Sequence, residues 1–141
     1  MMTSHASIQI NKPVAEVWKF VGADYVQNHP KFDPRCKSTE LTPPGPLAKG
    51  SKGREVRREG TYTFEVTEFE PDKRLAFKTT SGPSDFVGSF SVAPANGGTA
   101  LTIDFQVQFR GFMRLMAPMI GGSLRKETAS TAERIKKLLE G

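Results

Sequence analysis

The chain has 141 residues, 37% of them hydrophobic and 25% charged, with a formal net charge of +5. That composition suits one soluble globular domain spanning residues 1–141, and no apolar run approaches the about 20 residues that a membrane span needs. Basic residues alternate with acidic ones in REVRREG, EPDKR, LRKE and ERIKK, which is the pattern of a solvated surface rather than of a nucleic-acid or anionic-lipid patch.

The N-terminus, MMTSHASIQI, has no basic region followed by an apolar stretch, so no secretory signal is expected. The single cysteine, Cys36, excludes an intramolecular disulfide and suits a reducing cytoplasm. SHASIQI alternates Ala6, Ile8 and Ile10 with polar neighbours, as a half-buried strand does. In NKPVAEVWKFV, Pro13 stands at a helix start, and Val14, Val17, Trp18 and Val21 fall on one helical stripe. ADYVQNHPKFDP predicts a second short helix ending near His29, followed by a turn. RCKSTEL reads as a strand, and TPPGPLAKGSKG as a Pro- and Gly-rich loop.

After that loop the period changes to two. GREVRREG and TYTFEVTEFE read as a hairpin, EPDKR as a turn, RLAFKTTSG and DFVGSFSVA as strands, and PANGGT as a tight hairpin turn. ALTIDFQVQF has the cleanest alternation: Leu101, Ile103, Phe105, Val107 and Phe109 against Thr102, Asp104, Gln106 and Gln108. One buried and one wet face predict an antiparallel sheet. The last segment, from Gly111 on, is helical, with Met116, Ile120, Leu124, Thr128, Thr131, Ile135 and Leu138 at three- and four-residue spacing. Pro118 should kink it or mark a restart. Such a stripe must lie on the only apolar surface available, the inner face of the sheet.

The order and spacing of PVAEVWKFVGADYVQNHPKFDP, FEVTEFEPDKRLAF, NGGTALTIDFQV and a final helix ending IKKLLE resemble the SRPBCC superfamily over essentially the whole chain. That superfamily includes START lipid-binding domains, pollen-allergen-like proteins and polyketide cyclase/dehydrase-like proteins. The resemblance implies an α+β helix-grip fold: a seven-stranded antiparallel sheet wrapped around a long C-terminal helix, two short helices after the first strand, and an apolar cavity between sheet and helix. It further implies a small hydrophobic ligand (a lipid, polyketide or aromatic compound) or, alternatively, cyclase/dehydratase-like catalysis in that cavity.

GFMRLMAPMIGG (111–122) gains a reason from this fold. Methionine adapts to varied ligands, and Gly121 and Gly122 withhold volume, so the stretch is expected to wall the cavity near its mouth. The expected lining is Trp18, Val21, Tyr25, Val56, Tyr62, Phe64, Val66, Phe90, Ile103, Phe105, Val107, Met116, Ile120 and Leu124.

Polar groups amid apolar walls are the sites where burial tunes acid–base chemistry. Strand parity groups Arg54 and Arg58 with Val56, and Tyr62 and Glu68 with Phe64 and Val66. If Val56, Phe64 and Val66 point inward, Arg54, Arg58, Tyr62 and Glu68 are the catalytic candidates, with Tyr25 and Asp85 behind them; the alternative is that these charges sit at the sheet rim and pair with one another, and Asp24, Asp33 and Asp85 stand in turn-like contexts that suit caps. An inward Arg–Glu pair would anchor a carbonyl, carboxylate or phenolate. His5, His29 and Cys36 show no paired ligand spacing, so neither a zinc site nor any other cofactor is expected. Cys36 shows no adjacent histidine partner in sequence, although His29 can approach it in space. GPLAKGSK lacks the Lys-Ser/Thr order and the following helix of a phosphate loop. The strand aromatics lack the RNA-recognition signature, so no nucleic-acid partner is expected. Phe112, Met113 and Met116 allow at most a transient membrane contact. A monomer or a homodimer both suit the sequence.

Overall fold

The computed structural model describes residues 2–111, 115 and 117–141, and of 117–122 the backbone alone. The elements follow in the order β1 (Met2–Ile10), α1 (Val14–Trp18), a π-helical turn (Lys19–Ala23), α2 (Tyr25–Phe32), β2 (Cys36–Leu41), β3 (Lys52–Arg57), β4 (Gly60–Glu70), β5 (Arg74–Ser81), β6 (Ser84–Ala95), β7 (Gly98–Phe109) and α3 (Ala117–Glu140). The strands form one seven-stranded sheet in the order β1-β7-β6-β5-β4-β3-β2. Every pairing is antiparallel. This is the helix-grip architecture.

Local chemistry explains most of the boundaries. The β6–β7 hairpin turns at Asn96 and Gly97, with φ of 49° and 79°. A two-residue turn with both φ positive matches the strand twist, and Asn-Gly tolerates it best. On β7, Leu101 and Ile103 are fully buried while Gln106 and Gln108 are exposed. In α1 and the π turn, Val17, Trp18 and Val21 are buried. Trp18 packs edge-on against Phe69 with ring centroids 5.4 Å apart.

Helix α2 does not stop near His29. It runs through Pro30 to Phe32, and the Asp33 N–H closes it on the His29 carbonyl at 3.0 Å. Phe32 is 1% exposed and packs on Phe90, Tyr25 and Phe20. The burial of that ring outweighs the hydrogen bond that Pro30 cannot donate.

Helix α3 is described from Ala117 to Glu140, with Pro118 in its first described turn. The helix lies along β1 and reaches β7 and α2. Ser4 Oγ meets Thr128 Oγ1 at 2.7 Å, both residues buried. Lys136 Nζ donates to the Gln9 carbonyl at 2.6 Å, and the Asn11 N–H donates to Glu140 at 2.9 Å. Ile135 and Ala132 complete the core under the helix.

Candidate functional site

A cavity of about 780 Å³ lies between the sheet and α3. Its apolar wall comes from Phe77, Phe86, Phe105, Val107 and Phe109 on the strands and Leu124 on α3. Gly88 makes room for the aromatic layer: a Cβ there would stand 2.5 Å from Phe105 and 2.8 Å from Phe77. Part of the lining is polar: Tyr25 and His29 from α2, Asp33 just after it, and Glu55, Arg57, Glu59, Tyr62 and Ser84 from the sheet side.

Two local patterns build that part. On α2, Tyr25 and His29 lie four residues apart and share one helical face, and Asp33, the residue that ends the helix, follows four residues on. On β3, Glu55 pairs with Tyr62 of β4, so both side chains point inward. Glu55 is 3% exposed and His29 is 5% exposed. His29 Nδ1 lies 2.8 Å from a Glu55 carboxylate oxygen and 3.0 Å from the Thr39 hydroxyl. Its Nε2 lies 3.2 Å from Asp33 Oδ2. Arg57 Nη1 donates to the same Asp33 oxygen at 2.8 Å, and the Arg35 N–H holds the other at 3.1 Å. Tyr25 stacks on His29 with centroids 4.6 Å apart.

This geometry favours one charge state. A neutral imidazole has one donor and one acceptor nitrogen. Here Nε2 faces Asp33 and Nδ1 lies against Glu55 and the Thr39 hydroxyl, surroundings that stabilise the imidazolium form of His29. Burial alone would push its pKa down, but the contacts with Asp33, Cys36 and Glu55 prevail and raise it well above the ordinary histidine value. Burial pushes Asp33 upward, yet His29 and Arg57 hold its carboxyl well below the usual range. Against its own burial, Arg57 is held more firmly protonated by Asp33 and Glu55. Burial, then the Glu55 charge, raises the Tyr25 hydroxyl far above its ordinary value. Burial also raises Tyr62, against a hydrogen bond from Ser84 that lowers it. The result is an ordered, charged patch facing an aromatic chamber.

The structure relocates several expected residues. Arg54 does not face the cavity: it is exposed and pairs with Glu40 on the outer side of β3. Val56 lies on that outer side as well, so the parity of β3 is the reverse of the expected one, with Gly53, Glu55 and Arg57 inward. The inner face here is polar, and Val56 is the wrong guide to it. Glu68 is exposed and pairs with Arg74, because a bulge between Val66 and Glu68 breaks the β4 alternation. Arg58 is exposed at the cavity rim. Tyr62, Tyr25, Phe105, Val107 and Leu124 line the cavity, whereas Trp18, Val21, Phe64, Val66, Phe90 and Ile103 belong to the packed core. Met116 and the side chain of Ile120 lie outside the described residues, as do the structures of Phe112 and Met113. Asp85 is exposed and binds Arg110 rather than capping a turn. Asp33 is in the cluster itself.

Reasoning from sequence misses His29, Asp33, Glu55 and Arg57 as a group. The four-residue spacing from Tyr25 to Asp33 is the available signal; the β3 pair has none. The same fold brings His29, Cys36 and Glu55 ligand atoms within 4.8 Å of one another. The Thr39 hydroxyl stands between His29 and Cys36, 3.0 Å from Nδ1 and 3.2 Å from Sγ. The 2.8 Å His29–Glu55 contact is also shorter than the roughly 3.3 Å between two ligands of a tetrahedral zinc. These atoms are arranged as a hydrogen-bonded cluster, not as a coordination shell. Cys36 is buried, and the cavity lining does not include it.

The profile of one protein family, described as "Polyketide cyclase / dehydrase and lipid transport", matches residues 1–140. The chain belongs to that family. Among solved structures, the fold is similar to that of protein MLL2253 from Mesorhizobium loti, with a TM-score of 0.71 and 19% identity over 98% of this chain and 96% of that one. It is similar to TTHA0849 from Thermus thermophilus, with a TM-score of 0.75 and 14% identity over 97% and 96%. It is similar to Ara h 8.0201, with a TM-score of 0.72 and 13% identity over 97% and 96%. No curated protein matches the sequence. At these identities the neighbours establish the fold, and the family's description bounds the function to ligand binding or polyketide-related chemistry. No helix among the described residues is long and apolar enough to cross a membrane.

Proposed function

We propose that the protein binds a small hydrophobic molecule, aromatic or lipid-like, between its sheet and α3, with the ligand's polar end at the His29–Glu55–Arg57 patch. One observation carries this reading: a cavity of about 780 Å³ whose aromatic and aliphatic wall meets the cluster of Arg57 with the buried His29 and Glu55. Pockets of this size, mostly apolar with a few placed polar groups, suit a drug-sized ligand. Solvent extraction of detergent-free protein, followed by mass spectrometry, tests it. A stoichiometric hydrophobic compound is the expected result. An empty extract together with no saturable binding of anilinonaphthalene sulfonate would refute it.

A second reading is cyclisation or dehydration inside the chamber. It is favoured by the buried acid–base cluster in the chamber's lining and by the cyclase and dehydrase activities in the family's description. Turnover of an aromatic polyketide analogue that is lost in Glu55→Gln, with ligand affinity retained, would select it over carriage.

A further inference from the structure

We propose that Arg57, Tyr62 and Ser84 form a receiving site for a carboxylate on the cavity's ligand, and that the Glu59 side chain holds its place. This rests on the ligand-binding reading above. The starting observation is Arg57 Nε, a buried side-chain nitrogen without a hydrogen-bond partner among the described residues. A buried guanidinium N–H left unpaired is unfavourable and calls for an acceptor. The nearest is Glu59 Oε2, at 3.5 Å and outside hydrogen-bonding geometry.

The same Glu59 oxygen accepts from the Tyr62 hydroxyl at 3.4 Å, the far end of the hydrogen-bond range. The Tyr62 hydroxyl also lies 3.0 Å from Ser84 Oγ. One carboxylate oxygen therefore occupies a point within reach of two donors and is held well by neither. The donors are fixed: Tyr62 is 2% exposed and Ser84 6% exposed, and Arg57 is tied down by its 2.8 Å contact with Asp33. The acceptor is loose. Glu59 sits in the turn between β3 and β4, with its side chain 38% exposed.

All four residues line the cavity. A ligand carboxylate entering there exchanges with Glu59 charge for charge, so the cluster's net charge is unchanged while Glu59 swings to solvent. A neutral ligand offers no such exchange. The chemical class is thus an apolar body carrying one carboxylate, and a shortened, charge-assisted contact with Arg57 replaces the long one.

Calorimetric titration of the full chain with naphthoate and with naphthamide tests the proposal, since the two differ only in the anionic group. Naphthoate is expected to bind at least about tenfold more tightly. Glu59→Gln, an exposed and conservative change, is expected to tighten naphthoate several-fold and leave naphthamide unchanged. Tyr62→Phe is expected to weaken naphthoate alone. Laurate and its amide repeat the comparison on a straight chain, and the acid that binds more tightly identifies the skeleton. Equal affinity for acid and amide in both pairs, or a Glu59→Gln variant whose affinity for naphthoate is unchanged or lower, overturns this inference while leaving the ligand-binding reading intact. Absence of binding by all four compounds in a protein that still binds anilinonaphthalene sulfonate overturns this inference alone; absence of that dye's binding as well, with an empty extract, overturns both.

Discussion

Protonation of His29 should make the native state lose stability as the solution turns alkaline. Its folded-state pKa lies above the unfolded value of about 6.5. Its contribution is therefore complete below about pH 6.5 and fades as pH climbs toward the folded pKa. Each pH unit in that window removes up to about 1.4 kcal/mol. For a chain of this size that is a fall in Tm of about 5 °C per unit. Asp33 acts at the other border, because its depressed pKa stabilises the fold above about pH 4 and ceases to do so in stronger acid. His29→Gln removes the titrating group and leaves Glu55 and Asp33 facing a neutral amide. It should cost about 3–5 kcal/mol near pH 6 and abolish the alkaline slope. Thermal unfolding followed by circular dichroism between about pH 5 and pH 9 reads both effects. If His29→Gln and the natural protein lose stability in parallel above about pH 6.5, the imidazolium assignment is wrong.

Other perturbations read other parts of the molecule. Leu124→Trp, which puts a large ring into the cavity from α3, should abolish binding of anilinonaphthalene sulfonate while the far-ultraviolet spectrum stays native. Gly88→Ala forces a Cβ against the Phe105 and Phe77 rings; a loss of about 1–3 kcal/mol in urea unfolding, with weaker ligand binding, is expected. Ser4→Ala breaks the buried link from β1 to Thr128 and should cost about 1 kcal/mol by the same measurement. Asp85→Asn should leave Tm unchanged, because Asp85 and Arg110 are both half exposed.

The parts of the fold that sequence made legible are those where one rule dominates. β7 alternates because one face is core and the other water. Asn96-Gly97 turns because few residue pairs accept two positive φ angles. The α1 stripe is buried as its spacing requires. The site is harder to read because it reverses those rules. β3 carries Glu55 and Arg57 inward and Val56 outward, and only cross-strand pairing with β4 reveals it. The β4 alternation ends at a bulge that no residue type announces, which sends Glu68 to the surface. Pro30 suggests a stop that the burial of Phe32 overrides. His29 looks like an isolated histidine until the β3 carboxylate is brought to it from a distant stretch of chain.

The sheet's closing seam has a kinetic consequence. β1 pairs with β7, so that Ser4 faces Phe105 and Ile10 faces Thr99, and it then receives α3 through contacts such as Ser4 to Thr128, 124 residues apart. The other six strands are joined neighbour to neighbour and can assemble as a meander. The first strand must wait for the last one. Its pairing edge therefore stays unpaired through most of folding, which places this chain among slow, high-contact-order folders rather than among fast local ones. The polar residues of MTSHASIQI, with His5 and Ser7 on its outer face, keep that waiting edge from offering a uniformly apolar template to other chains.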